Sequence, residues 1–466
     1  MNNKYKLLLK DTLIFALGNL GSKLILFFLV PLYTNYLTTE QYGTADLVFT
    51  FSQLIIPVTS VVINEAVIRF ALMRNEKPEN VLLAAYLVLG ISVVTSLIFV
   101  PLIGLYDAVE PWRWYLFAVV ILSNISEVQK AFLKATNKNR QFAFISILQT
   151  GVLATSNIIL LAAFHMGVAG YLLSNIIALF ISVIASFFLG IVYSNLRKAR
   201  IDFVLIKRMV LFSSPLILNN ISWWVIHSSD KIMIEVMIGL SELGIYTAAT
   251  KIPSLINVII SVFTQAWGLS TIREVESEND YHFFSSVFES YSFITFGAGI
   301  AIISIIKPFM HAYVGDAFRD AYLYTSLLLT AAVFYSISSY FGSIYSAIQK
   351  TTHSMFTTIL CAISNIILNY ILIQIVGIWG AVIGTLGSYF IIAHIRMFDI
   401  VRMLRLHINI RKYLLNVCLL LTQSILVSIG WHPALTSTIA VTIFVAVNIK
   451  LIFKLLKSFP IKDRKG

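Results

Sequence analysis

Charge is the scarce ingredient of this chain. Asp, Glu, Lys and Arg make up 12% of its 466 residues, against 58% hydrophobic residues and a mean hydropathy of +0.85. A soluble protein of this length cannot cover its surface with so little charge. Cysteine is nearly missing too. Cys361 and Cys418 both fall inside long apolar runs, where they read as packing residues, not as a disulfide or a metal pair. There is no Gly-x-x-x-x-Gly-Lys-[Ser/Thr] loop, no His-Glu-x-x-His and no Asp-x-Asp. Those gaps argue against ATP hydrolysis, zinc hydrolysis and metal-dependent glycosyl transfer. No connection between apolar runs is long enough to hold a soluble domain.

What is present is apolar sequence in lengths that span a bilayer, about 20 residues at a time. Seven runs cover 12–33, 47–68, 81–105, 112–133, 142–164, 169–194 and 209–236. Seven more cover 243–272, 284–306, 321–348, 355–376, 378–396, 413–430 and 435–453. The expectation is an all-α integral membrane protein with about fourteen spans. The first run is too long for a secretory signal and no small-residue cleavage site follows it, so it reads as an anchor. With both termini inside, 28 of the 34 Lys and Arg fall on inner loops and tails, the positive-inside pattern for an even number of spans. The net charge of +12 is thereby explained without nucleic acid.

The chain also repeats itself. Ser156-Asn157-Ile158-Ile159-Leu160 and the later Gly167-Val168-Ala169-Gly170 return as Ser364-Asn365-Ile366-Ile367-Leu368 and Gly377-Ile378-Trp379-Gly380. A looser echo links 37–45 (LTTEQYGTA) with 240–248 (LSELGIYTA), each the turn between the first and second helix of its half. The expected organisation is an N-lobe of six spans over 1–194, an inner linker over 195–208, and a C-lobe of six spans over 209–406. Two further spans and a basic tail follow over 407–466. Even-numbered halves share one orientation, so the repeats are parallel, and two such halves form an alternating-access transporter around a central cavity.

Charged residues inside the spans are costly and normally face a cavity or a partner. Lys23 lies near the middle of the first run with no acidic residue three or four positions away. Asn220, His227, Lys231 and Glu235 recur at helical spacing on the seventh run, with Asp230 beside them, and Lys251 lies on the eighth. Glu65 with Arg69, and Glu127 with Lys130, have the spacing of simple interface pairs, and Lys231 has Glu235 as a candidate partner. Trp223 and Trp224 read as lobe-facing anchors or as packing. Lysines facing an enclosed cavity favour an anionic cargo, and a pyrophosphate-linked lipid suits them.

The segment 215–251 (PLILNNISWWVIHSSDKIMIEVMIGLSELGIYTAATK) and the earlier VPLYTNYLTTEQYGTADL over 30–47 resemble the polysaccharide biosynthesis proteins that flip O-antigen or capsule repeat units. These sit in the multidrug/oligosaccharidyl-lipid/polysaccharide exporter superfamily. The resemblance implies an inner-membrane flippase, not an enzyme, with undecaprenyl-pyrophosphate-linked oligosaccharide as cargo. It also implies membrane lipids and the polysaccharide polymerase and chain-length machinery as partners. By position, Lys23 and Lys251 match basic cavity residues of the related lipid II flippases. No arginine lies within span two, since Arg69 is at its inner end. On this reading Lys23, Lys231, Lys251, Asn220 and His227 bind cargo. Asp230, Glu235, Glu65 and Glu127 are the candidates for a coupling proton or sodium ion, and no cofactor is needed. The alternatives are a drug or cation antiporter of the same superfamily, and a membrane polymerase or ligase acting on the same lipid-linked sugars.

Overall fold

The computed structural model describes residues 25–73, 75–103, 105–189, 192–277 and 281–458. All regular structure among them is helical. The chain forms two compact units, residues 1–247 and 248–466. In the first, α1 covers Ile25–Tyr36. It is followed by α2 (Thr39–Ser60), α3 (Ile63–Ala71), α4 (Pro78–Ile103), α5 (Arg113–Ala135), α6 (Asn139–Asn157), α7 (Gly167–Phe188), the short α8 (Val192–Leu196) and α9 (Phe203–Met237). The first turns of α10 (Leu240–Ser277) complete this unit. The second holds the rest of α10, then α11 (Tyr281–Tyr313), α12 (Ala321–Ala347), α13 (Thr351–Val376), α14 (Ile378–Leu404), α15 (Ile410–Ser428) and α16 (Pro433–Ser458).

Eleven of these helices are long and apolar enough to cross a membrane, and α2 with α3 makes a twelfth as one bent span. Helices α1 and α10 occupy the two remaining apolar runs. The first run begins before Ile25, outside the described residues. Large apolar side chains such as Phe28, Ile91, Ile98 and Phe188 are exposed along the spans. That distribution suits hydrocarbon, which needs no polar cover but does need every backbone bond closed within the segment.

The repeat has a physical basis at its glycines. Gly167 (φ +55°) and Gly377 (φ +62°) both hold a positive φ, which favours glycine, where the chain reverses between α6 and α7 and between α13 and α14. Three residues on, a Cβ at Gly170 would lie 2.9 Å from Met166 Cβ, and one at Gly380 would strike the backbone of Leu372. Each hairpin is therefore packed closely at a glycine, against the backbone of the preceding helix at Gly380 and against Met166 at Gly170.

The second run, expected as one helix over 47–68, is longer and broken. It begins at Thr39 behind a capping box in which Thr38 Oγ1 accepts from the Gln41 N–H and Gln41 Oε1 accepts from the Thr38 N–H, each at 3.2 Å. It then bends by 52° between α2 and α3. Val61 and Val62 sit at the break with φ +54° and +51°, a region that β-branched residues seldom enter. The Val62 N–H donates to Ser60 Oγ at 3.3 Å, so the freed donor is not orphaned. Strain of this kind costs on the order of 1–3 kcal/mol per residue and persists where the surroundings enforce it.

Candidate transport cavity

A cavity of about 480 Å³ lies within the first unit, against the α2–α3 break. Glu65 on α3 and Glu127 on α5 reach its wall, as do Asn220, Trp223, Trp224 and His227 from α9. Asn220 and His227 are seven residues apart, two helical turns, and so share one face of α9. Trp223 lies parallel to His227, with ring centres 5.7 Å apart. Trp224 is fixed by its indole N–H, which donates to the Thr50 carbonyl at 2.8 Å. Asn124, 2% exposed, donates from Nδ2 to Thr59 Oγ1 (3.1 Å) and Ser92 Oγ (3.0 Å). Its Oδ1 is buried with no partner among the described residues. An unsatisfied buried acceptor costs about 1–3 kcal/mol.

The local pairs differ from the sequence reading. Arg69 does not pair with Glu65; its guanidinium lies 4.3 Å over the Phe212 ring. Glu127 and Lys130 do pair, loosely, at 3.9 Å.

Lys231 is not among the cavity's lining residues. Its Nζ lies 2.7 Å from a carboxylate oxygen of Asp46 on α2, which also accepts from Thr247 Oγ1 at 3.0 Å. Neighbouring Asp230, 6% exposed, accepts from the Tyr246 hydroxyl and, at 2.9 Å, from the Lys231 backbone N–H. Glu235 makes no ion pair among the described residues, and its Oε2 is buried without a hydrogen bond. Three- and four-residue spacing along one helix does not reveal Asp46, which lies on α2. The signal was its place immediately after the 37–45 echo, whose counterpart holds Tyr246 and Thr247.

The two echoed segments touch. Thr39 Oγ1 and Ser241 Oγ are 2.7 Å apart. A Cβ on Gly43 would meet the Leu240 carbonyl, and one on Gly244 would meet the Thr39 carbonyl. Small residues, a hydroxyl pair and the Lys231–Asp46 ion pair thus hold the start of α2 against α9 and the start of α10.

Of the other candidates, Lys251 lies on α10 in the second unit and is half-buried. Lys23 lies outside the described residues. In the second unit Arg396, 7% exposed, donates to the side chains of Ser338, Thr357 and Thr358 and to the Ser338 and Ser354 carbonyls, joining α12, α13 and α14. A smaller cavity of about 310 Å³ lies among α11, α15 and α16, with the Glu289–Lys412 pair (3.1 Å) at its wall.

A family model described as polysaccharide biosynthesis protein matches residues 8–268, which takes in every helix around the larger cavity. The chain belongs to that family. Among curated proteins it is similar to Lsg locus putative protein 1 of Haemophilus influenzae, with 24% identity over 264 residues. That match covers 55% of this chain and 64% of the relative, so the chain spans less than two thirds of the relative's length. Among solved structures it is similar to the lipid II flippase MurJ in an inward closed conformation, with a TM-score of 0.70 and 13% identity over 94% of this chain and all of that one. It is also similar to an inward-facing multidrug resistance MATE family transporter (TM-score 0.67, 17% identity, 84% of this chain and 94% of that one). The family member described here is therefore a multi-pass, all-helical membrane protein with the fold of the multidrug/oligosaccharidyl-lipid/polysaccharide exporters. The structural neighbours are transporters and flippases, not enzymes.

Proposed function

We propose that this chain is an inner-membrane flippase that moves undecaprenyl-pyrophosphate-linked oligosaccharide repeat units from the cytoplasmic to the periplasmic leaflet by alternating access. One observation carries the reading. A polysaccharide biosynthesis protein holds, within its spans, a cavity walled by indole, amide, hydroxyl and carboxylate groups. Those groups suit a polyhydroxylated cargo and offer little to a purely apolar one. The pyrophosphate requires cations, and Lys251 and Lys23 are the candidates, while the ammonium of Lys231 pairs with Asp46. Glu65, Glu127, Asp230 and Glu235 are the candidates for carrying a coupling proton or sodium ion. Membrane lipids and the polymerase and chain-length machinery would be its partners.

The test is a leaflet-resolved flipping assay in proteoliposomes with a defined polyprenyl-pyrophosphate oligosaccharide. Flipping should depend on the protein, accelerate under an imposed pH or sodium gradient, and fall at least tenfold in Lys251→Glu and Lys23→Glu at equal protein level. Absence of protein-dependent flipping would overturn the reading. A second reading, export of a cationic drug, is favoured by one observation: the charged residues on the cavity wall, Glu65 and Glu127, are both acidic. Efflux of an organic cation by the same proteoliposomes, without any movement of the lipid-linked sugar, would establish it instead.

A further inference from the structure

Sorting the cavity wall into donors and acceptors narrows the cargo, on the assumption that the flippase reading holds. We infer that this cavity accepts sugar residues that donate hydrogen bonds and carry no acid group, namely neutral and amino sugars, and discriminates against uronic and other acidic sugars.

Several donors on the wall are already engaged within the protein. The Trp224 N–H is held by the Thr50 carbonyl, the Asn220 Nδ2 by the Leu216 carbonyl at 2.9 Å, and the Asn124 Nδ2 by Thr59 and Ser92. The amide oxygen of Asn220 stays on as an acceptor. Both charged groups on the wall are carboxylates, which when ionised only accept. Glu65 makes no ion pair among the described residues, and Glu127, with its side chain 53% exposed, has only the loose contact with Lys130. The remaining large surface is Trp223, 40% exposed, whose π face is electronegative and attracts ammonium and polarised C–H groups. A ligand rich in hydroxyls or bearing an ammonium suits these acceptors, and sugar hydroxyl oxygens can accept from the Gln53 and Asn64 amides and the Ser123 hydroxyl on the same wall. A carboxylated sugar meets two like charges and no unengaged cation among the lining residues.

The experiment compares three short-chain polyprenyl-pyrophosphate disaccharides that share lipid and first sugar and differ in the second: a neutral hexose, an amino sugar and a uronic acid. Binding to the full-length protein in detergent is read from quenching of Trp223 fluorescence, taken as the difference from Trp223→Phe. Transport is read in proteoliposomes. The neutral and amino compounds should bind and flip at least tenfold better than the uronic acid, and Glu65→Gln with Glu127→Gln should shrink the gap in binding below threefold. Equal handling of the uronic acid by the wild-type protein would overturn the inference while leaving a flippase. The same preference in binding with no transport would keep the inference and overturn the flippase. Failure to bind any of the three would overturn both.

Discussion

Lys231 shows what a single buried charge does in this chain. Its ammonium and the Asp46 carboxylate are 18% and 11% exposed and 2.7 Å apart, so each compensates the other's desolvation. Removing one partner strands the other, and that step usually costs more than the pair itself contributes. Lys231→Met should therefore destabilise the protein by on the order of 3 kcal/mol, and adding Asp46→Asn should restore more than half of the loss. Thermal or denaturant unfolding in detergent checks both values; a double variant no more stable than the single one would show the pair is not coupled. The sequence marked Lys231 as unusual but not its role. Spacing along one helix offered Glu235, whereas the true partner sits on a different helix, at a distance in sequence that no periodicity reports.

At the scale of elements, the close crossing of α2 with the start of α10 rests on Gly43 and Gly244, where any side chain would meet a carbonyl of the other helix. A Thr39→Cys and Ser241→Cys pair, in a Cys418→Ser background, should form a disulfide readily, since the native oxygens are 2.7 Å apart. Adding Gly244→Val should abolish it, as seen by gel shift under non-reducing conditions. Unchanged cross-linking would show that the glycine contact does not hold the crossing. Both crossing segments were visible beforehand as an echo, and so were the hairpin glycines. Glycine at an obligatory close approach or a positive φ leaves a mark that pattern reading can find. The α2–α3 break left none. Valines are the wrong residues to announce a left-handed turn, and their hydropathy is that of an uninterrupted span.

For the whole molecule, the architecture was legible because bilayer thickness and charge cost act on composition directly. Fourteen apolar runs became helices, with only the start of the first outside the described residues. The pairing of Lys231 was less legible. Three lysines within spans pointed to a basic interior, but a count of charges cannot say which ones neutralise each other across helices. Orientation is testable with the same economy. A cysteine at Lys198, exposed in the basic linker, should react with a membrane-impermeant maleimide only after cells are opened. One at the exposed Asp107 should react in intact cells. The reverse labelling pattern would invert the assigned topology.

The kink at Val61 and Val62 divides one span into two pieces with separate duties. Asp46 belongs to the longer piece and Glu65 to the shorter, and no continuous ladder of helical bonds links them. The ion pair and the Glu65 carboxylate are therefore positioned by separate helical segments. Both pieces reach the cavity, Gln53 and Ser60 from the longer and Glu65 from the shorter, so the angle of the joint sets the shape of its wall.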